Sequence, residues 1–127
     1  MFAQAHVTPP TLGKLAATPV LTSEMPPGFT HVKIVRLPAA SRVHLVGGVR
    51  LDFSNAHTTE SESFALFASP AAAQALARRA SKVNGGSLFA AKAVAVGRFV
   101  IAVTAATREG ASTLMSLALA HFRRAEG

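Results

Sequence analysis

The feature that most constrains the fold is one apolar stretch, SLFAAKAVAVGRFVIAVTAAT, over residues 87 to 107. As a membrane helix, its eight strong hydrophobes would contribute roughly −4 kcal/mol, whereas Lys92 and Arg98 would each cost about 2.5 to 3.5 kcal/mol near the bilayer centre. A water-soluble helix also fits poorly, because Val, Ile and Phe favour strands and Gly97 lies in the middle. The stretch therefore predicts a β-hairpin and no transmembrane segment.

The turn of this hairpin is predicted at Gly97-Arg98, since glycine as the first central residue suits a type II′ turn. This turn sets the register, in which the predicted pairs are Val96 with Phe99, Ala95 with Val100, Val94 with Ile101 and Ala93 with Ala102. Bulky side chains then share one face of the hairpin and small side chains share the other. A homodimer is the hypothesis that covers the small-residue face, formed by Ala93, Ala95, Val100 and Ala102.

The remaining elements are predicted from periodicity and turn residues. Strands are expected over residues 31–37, over 43–53 as one strand bent at Gly47-Gly48, and over 63–68, with a polar loop over 54–62. Helices are expected over 71–82, after the cap Ser69-Pro70 and before Asn84-Gly85-Gly86, and over 109–125. This order predicts an α+β fold with an antiparallel sheet of about five strands and two helices packed on one face.

The N-terminal stretch has a different composition from the rest of the chain. Residues 1 to 28 hold five of the seven prolines, so a flexible Thr/Pro-rich segment is expected there. Residues 29 to 127 are expected to form a single domain. Ala3-Gln4-Ala5 has the small-x-small form of a signal-peptidase site and is followed by a Thr/Pro-rich stretch, which gives export a slight preference although no hydrophobic segment precedes the site.

Composition excludes some chemistry and favours anionic partners. The chain has no cysteine, which excludes disulfides, thiolate metal sites and a cysteine nucleophile. Its formal net charge of +7 favours association with anions, but the basic residues are scattered. Candidate anion contacts are the two pairs of adjacent arginines, Arg78-Arg79 and Arg123-Arg124. The absence of Tyr and Trp weakens the case for base stacking.

Candidate catalytic and metal-binding groups are sparse. His57, Glu60 and Glu62 are weak candidate metal ligands, because their spacing matches no metal-loop pattern. A hydrolase set that combines His44 with Asp52 fails, since eight residues of one strand separate them by roughly 26 Å. His121 falls on the apolar side of the second helix and is expected to pack at the core margin. No catalytic residue and no cofactor is predicted.

The leading hypothesis is therefore a non-catalytic interaction or ligand-binding domain, whose partner is itself or another protein. An apolar small ligand is a related hypothesis, with a pocket between helices and sheet lined by Phe53, Phe64, Leu66, Leu114, Met115 and Phe122. A basic nucleic-acid-binding domain that uses its arginine pairs is the alternative. A small metal-dependent enzyme ranks third.

Overall fold

The computed structural model describes residues 10–82 and 90–126, and within these ranges it contains one five-stranded antiparallel sheet. The strands are β1 (His31–Leu37), β2 (Leu45–Ser54), β3 (Thr59–Phe67), β4 (Ala90–Val96) and β5 (Phe99–Ala105). Their order across the sheet is β1-β2-β3-β5-β4, so β1 and β4 form the two edges. The α+β class and the predicted order of strands and helices after residue 29 are confirmed.

Three helices accompany the sheet within the described ranges: α1 (Leu12–Ala17), α2 (Pro70–Lys82) and α3 (Arg108–Arg124). The hydroxyl of Ser69 accepts a hydrogen bond from the Ala72 amide at the start of α2. Thr107 caps α3 in the same way, at 2.9 Å from the Gly110 amide nitrogen. Each hydroxyl therefore satisfies one of the amides that a helix start leaves unpaired.

The β4–β5 hairpin has the predicted register at every predicted pair, from Val96 opposite Phe99 to Ala93 opposite Ala102. Gly97 has a φ of 60°, a conformation that glycine adopts without a steric penalty. The turn residue thus accounts for the register, and the register accounts for which side chains share a face.

The two central strands β2 and β3 match the predictions in part. β2 is one strand with an irregularity between Leu45 and Gly47, as the glycine pair predicted. The predicted loop over 54–62 is wrong in its second half, because β3 already begins at Thr59. The Asn55 side chain closes the shorter loop by accepting hydrogen bonds from the amides of His57 and Thr58. Polar residues on both faces of β3 hide its strand periodicity.

The two faces of the sheet carry separate apolar clusters. On one face, called the α3 face, α3 and α1 pack on a buried set from the strands: Val49, Leu51, Phe53, Phe64, Phe99, Ile101 and Val103. On the other, called the α2 face, Ala73 and Ala77 of α2 pack on Phe67 and Val100 and on the half-buried Ala93 and Ala95. Two helices do share one face, but they are α1 and α3, whereas α2 lies on the opposite face. The small side chains of β4 let α2 pack there.

Residues 10–28, which belong to the segment that the prolines predict to be flexible, lie against the domain. Leu15 of α1 is fully buried in the core of the α3 face. The segment 18–30, here called the strap, follows α1 and places Met25 and Phe29 against the same core. Pro10 and Pro19 flank α1 rather than interrupt it, so they do not prevent the helix. Ala3-Gln4-Ala5 lies outside the described residues.

Replacement of Leu15 tests whether the N-terminal segment contributes to the fold. Leu15→Ala leaves a cavity in the core, so we expect the free energy of unfolding to fall by about 2 to 5 kcal/mol. Leu21→Ala is the matched control, because Leu21 is exposed and its loss should cost less than about 0.5 kcal/mol. Urea unfolding measures both. Equal stabilities of the two variants would contradict the packing of α1.

Candidate functional site

Four ionisable side chains lie close together at the strap, and we call them the buried cluster: Glu24, Glu62 and His121 are buried, and Arg124 lies at the rim with 35% of its side chain exposed. Glu24 belongs to a 3₁₀ turn in the strap, Glu62 to β3, and the other two to α3. Glu62 and His121 are each 1% exposed and Glu24 is 4% exposed. Charged groups are rarely buried to this extent, so each needs a partner or a changed protonation state.

Glu24 connects the strap to α3 through several hydrogen bonds. Its Oε2 accepts from Nε of Arg124 at 2.7 Å, and its Oε1 lies 2.9 Å from Nδ1 of His121. Arg124 also donates to the carbonyl of Pro19, and the Leu21 amide donates to Glu24. Burial acts to raise the pKa of Glu24, but the bonds from Arg124, His121 and Leu21 outweigh it and lower this pKa to about 2. Glu24 is therefore an anion that fastens the strap.

His121 is buried between this carboxylate and the core. An ionised carboxylate only accepts hydrogen bonds, so the Nδ1 of His121 carries the hydrogen and donates it to Glu24. The imidazole packs on Phe64, with 5.8 Å between ring centroids. Its Nε2 is buried and has no hydrogen-bond partner among the described residues. The sequence-based expectation that His121 packs at the core margin agrees with this burial.

Glu62 lies in the middle of the sheet on the α3 face. Its neighbours on the adjacent strands are Leu51 and Val103, which are both buried and apolar. Neither carboxyl oxygen has a hydrogen-bond partner within the described residues. Burial raises the pKa of Glu62 to about 9, with a further contribution from the negative charge of Glu24. Glu62 is therefore protonated at pH 7, which changes the formal net charge from +7 to +8.

The cluster combines groups that general acid–base catalysis uses, namely a neutral acid, an imidazole and a carboxylate. The oxygens of Glu62 and Nε2 of His121 are nevertheless buried, so this conformation offers no route from solvent to the atoms that would react. The geometry directly shows two connections: Glu24 joins the strap to α3 by hydrogen bonds, and His121 of α3 packs on Phe64 of β3. Sequence reasoning missed Glu24 because nothing in the local pattern ties residue 24 to residues about 100 positions away.

The weak metal candidates are not brought together by the fold. His57 is exposed in the β2–β3 loop, whereas Glu60 accepts a hydrogen bond from the Ala106 amide and Glu62 is buried in the cluster. No group of three metal-ligating side chains occurs in the part of the chain that the structure describes. His57, Glu60 and Glu62 therefore do not form one ligand set in this structure.

The residues predicted to line an apolar pocket instead belong to the packed core of the α3 face. Phe122 stacks on Phe64 at 6.1 Å and meets Phe99 edge-on at 5.1 Å. Phe53 and Leu114 are fully buried in the same cluster, and Leu66 and Met115 pack on it from partly buried positions. Close ring contacts of this kind are those of a filled interior.

The small-residue face predicted for dimerisation is occupied by the chain itself. Ala93, Ala95 and Val100 pack against α2, and Ala102 is half-buried between Ala93 and Ser63. In this structure α2 therefore covers the surface that the sequence predicts for a second copy.

The two arginine pairs lie at different ends and on different faces of the domain. α2 begins beside the hairpin turn, where Leu66 faces Phe99, and carries exposed Arg78 and Arg79 toward the far end. α3 runs in the opposite sense on the other face, and its Arg124 is bound to Glu24. The pairs therefore do not form one basic surface.

A second candidate site is the edge of β4, which pairs with no further strand among the described residues. A two-residue turn makes Val96 and Phe99 a hydrogen-bonded pair, and the alternation of an antiparallel ladder then points the N–H and C=O groups of Ala91, Ala93 and Ala95 outward. Val94 and Val96 are 37% and 38% exposed beside this edge. An open cleft of about 320 Å³ runs along it, lined by Ala91, Lys92, Ala93, Val94 and Met115. We call this surface the β4 edge.

Comparisons with protein-family models, with curated proteins and with solved structures give no match to the chain. Among the described helices, none combines the length and the apolar character that crossing a bilayer requires. The buried cluster and the β4 edge are thus the two features from which a function can be argued.

The protonation of Glu62 predicts an unusual pH dependence of stability. The pKa is about 9 in the folded protein against 4.5 for an ordinary glutamate, so unfolding at neutral pH releases a proton. Protonation of Glu62 contributes its full stabilisation below about pH 4.5. As the pH rises from there toward 9, the free energy of unfolding falls by up to about 1.4 kcal/mol per pH unit. Glu62→Gln cannot ionise, so we expect its stability to change less between pH 5 and 9.

Urea unfolding at several pH values measures this effect, and Glu109→Gln, an exposed glutamate at the start of α3, is the control. We expect Glu62→Gln to exceed the wild type in stability at pH 8 by a few kcal/mol. Parallel pH profiles for the wild type and Glu62→Gln would show that Glu62 is not held protonated.

The link between Glu24 and Arg124 predicts where the structure first opens. Arg124→Met removes the bonds to Glu24 and Pro19 and should increase the rate of proteolysis within the strap several-fold, while amides of the central strands stay protected. Arg123→Met is the matched control, since Arg123 is an exposed neighbour on the same helix. Identical cleavage rates for the two variants would contradict the fastening role of Arg124.

Proposed function

We propose that this protein is a non-catalytic interaction module that binds an extended strand along the β4 edge. The observation that carries the proposal is the row of outward-pointing backbone groups on β4 beside two exposed valines and a cleft. Unpaired N–H and C=O groups at a sheet edge are a template for another strand. The backbone supplies affinity, and the flanking side chains supply selectivity.

The other edge of the sheet is better protected against a partner. β1 also exposes two apolar side chains, Val32 and Ile34, but exposed Lys33 and Arg36 interrupt them. Charged side chains on an edge strand disfavour pairing with further strands. β4 carries a single cation, Lys92, which makes it the more receptive edge.

The helices frame the β4 edge on both sides of the sheet. α2 contacts β4 on one face, and α3 contacts it on the other. Met115 of α3 lines the cleft next to Val94, so a strand added here would meet apolar side chains as well as backbone. The cleft is open, which suits an extended peptide better than an enclosed small molecule.

In this proposal the buried cluster supports the binding surface. Glu24 holds the strap against α3 through His121 and Arg124, and α3 presents Met115 to the cleft. In this proposal the ion pair between Glu24 and Arg124 has a structural role, so no bound substrate is needed to explain it. Its closed state also favours an interaction role over an acid–base enzyme.

Nucleic-acid binding is the second candidate, and the net charge favours it. With Glu62 protonated the formal charge is +8, which attracts phosphate backbones. However, the arginine pairs lie on different faces, and every phenylalanine in the described ranges is buried or half-buried. Base stacking requires exposed aromatic rings, so the strand-binding proposal agrees better with the structure.

A synthetic peptide with the sequence of residues 90–96, AAKAVAV, is the probe for the β4 edge. We expect it to slow hydrogen exchange at the outward amides of Ala91, Ala93 and Ala95, with no effect on the amides of β1. Ala93→Pro removes one outward donor while it keeps the bonds to β5, and should abolish this protection. Val94→Ser, which leaves the backbone intact, should weaken binding through lost apolar contact.

Circular dichroism is the control that checks that both variants are folded. The measurement uses a protein concentration at which the chain is monomeric. The proposal fails if the peptide then leaves the three amides unchanged at millimolar peptide concentration, or if it protects β1 instead.

A further inference from the structure

The β4 strand is complementary to itself in an antiparallel arrangement. In an antiparallel two-fold pairing, a residue that precedes the centre by some number of positions lies opposite the residue that follows the centre by the same number in the second copy. With the centre at Ala93, Ala91 therefore faces Ala95 of the second copy, and Ala90 faces Val96 of the second copy. All seven residues of β4 then pair, and opposed side chains lie on the same face of the sheet.

Repulsion between lysines favours the register centred on Ala93 over the register centred on Lys92. Centred on Ala93, the pairing sets Lys92 opposite Val94 of the second copy, so no like charges are opposed. Centred on Lys92 instead, it would oppose the two lysines directly, which is destabilising. A register centred on Val94 leaves Ala90 and Ala91 without opposite residues in β4. The register centred on Ala93 is therefore the best of the three.

The surroundings of the edge supply more interface than the strand alone. Stable dimers bury about 1,200 to 2,000 Å² in total, which a single strand pair does not reach. α2 and α3 both contact β4, so helices from both copies lie beside the junction on both faces. The exposed valines and Met115 are the apolar groups that such a junction would cover.

From these observations, and resting on the proposed function, we infer that the strand bound by the β4 edge is β4 of a second copy of this chain. The pairing is antiparallel, two-fold symmetric and centred on Ala93. It joins the two five-stranded sheets of the described domains into one continuous sheet.

Molecular mass in solution tests the inference, by light scattering after size exclusion over roughly 1 to 500 µM protein. We expect the mass to approach twice 13.1 kDa as concentration rises. Val94→Lys places a lysine opposite Lys92 of the second copy, twice per dimer, and should raise the dissociation constant about tenfold or more. The double variant Lys92→Glu with Val94→Lys restores an opposite-charge pair and should recover most of the affinity.

Val32→Lys is the matched control, because Val32 is equally exposed on the other edge strand at 38%. It should leave the dimer intact. A monomer at all concentrations, or equal dissociation by Val32→Lys, would overturn the inference. If the wild type stays monomeric while the peptide protects the β4 amides, the strand-binding function stands and the second copy is wrong. If the wild type stays monomeric and the peptide leaves the β4 amides unprotected, both the second-copy inference and the strand-binding function fail.

Discussion

The turn at Gly97 is the constraint on which the rest of the structure depends. By reversing the chain after Val96 it opposes β4 and β5 in one register, and that register separates bulky from small side chains. The small face accepts α2 closely, the bulky face accepts α3, and β4 is left at the edge of the sheet. One glycine with a positive φ thus determines where each helix packs and which backbone groups remain open to a partner.

The α3 face shows how polar groups can be enclosed in an apolar layer. Glu24 compensates its burial by accepting bonds from α3 and keeps its charge, whereas Glu62 has no partner among the described residues and keeps its proton. The same environment therefore holds two carboxyl groups in opposite states. An apolar side chain at position 62 would pack with less cost, so the glutamate is an exception to the rule that buried polar groups are paired.

The parts of this fold that could be predicted from sequence are those set by local chemistry. The hairpin follows from Gly97, the bend of β2 from Gly47-Gly48, and the start of α2 from Ser69-Pro70. The start of β3 was hidden because Glu60 and Glu62 are polar residues that point into the protein. The strap and the buried cluster depend on bonds across about 100 residues, between Glu24 and Arg124, which no local pattern reveals. The β4 edge needed the strand order as well as the register.

A carboxyl group that stays neutral inside the sheet has a consequence for the folding reaction itself. In the unfolded chain at pH 7, Glu62 is an ordinary glutamate and is ionised, so the chain must take up one hydrogen ion before the α3 face can close over it. Folding of each molecule in weakly buffered solution would therefore make the medium slightly more alkaline. The hydrogen ion is in this sense a component of the native structure, as a bound ligand would be.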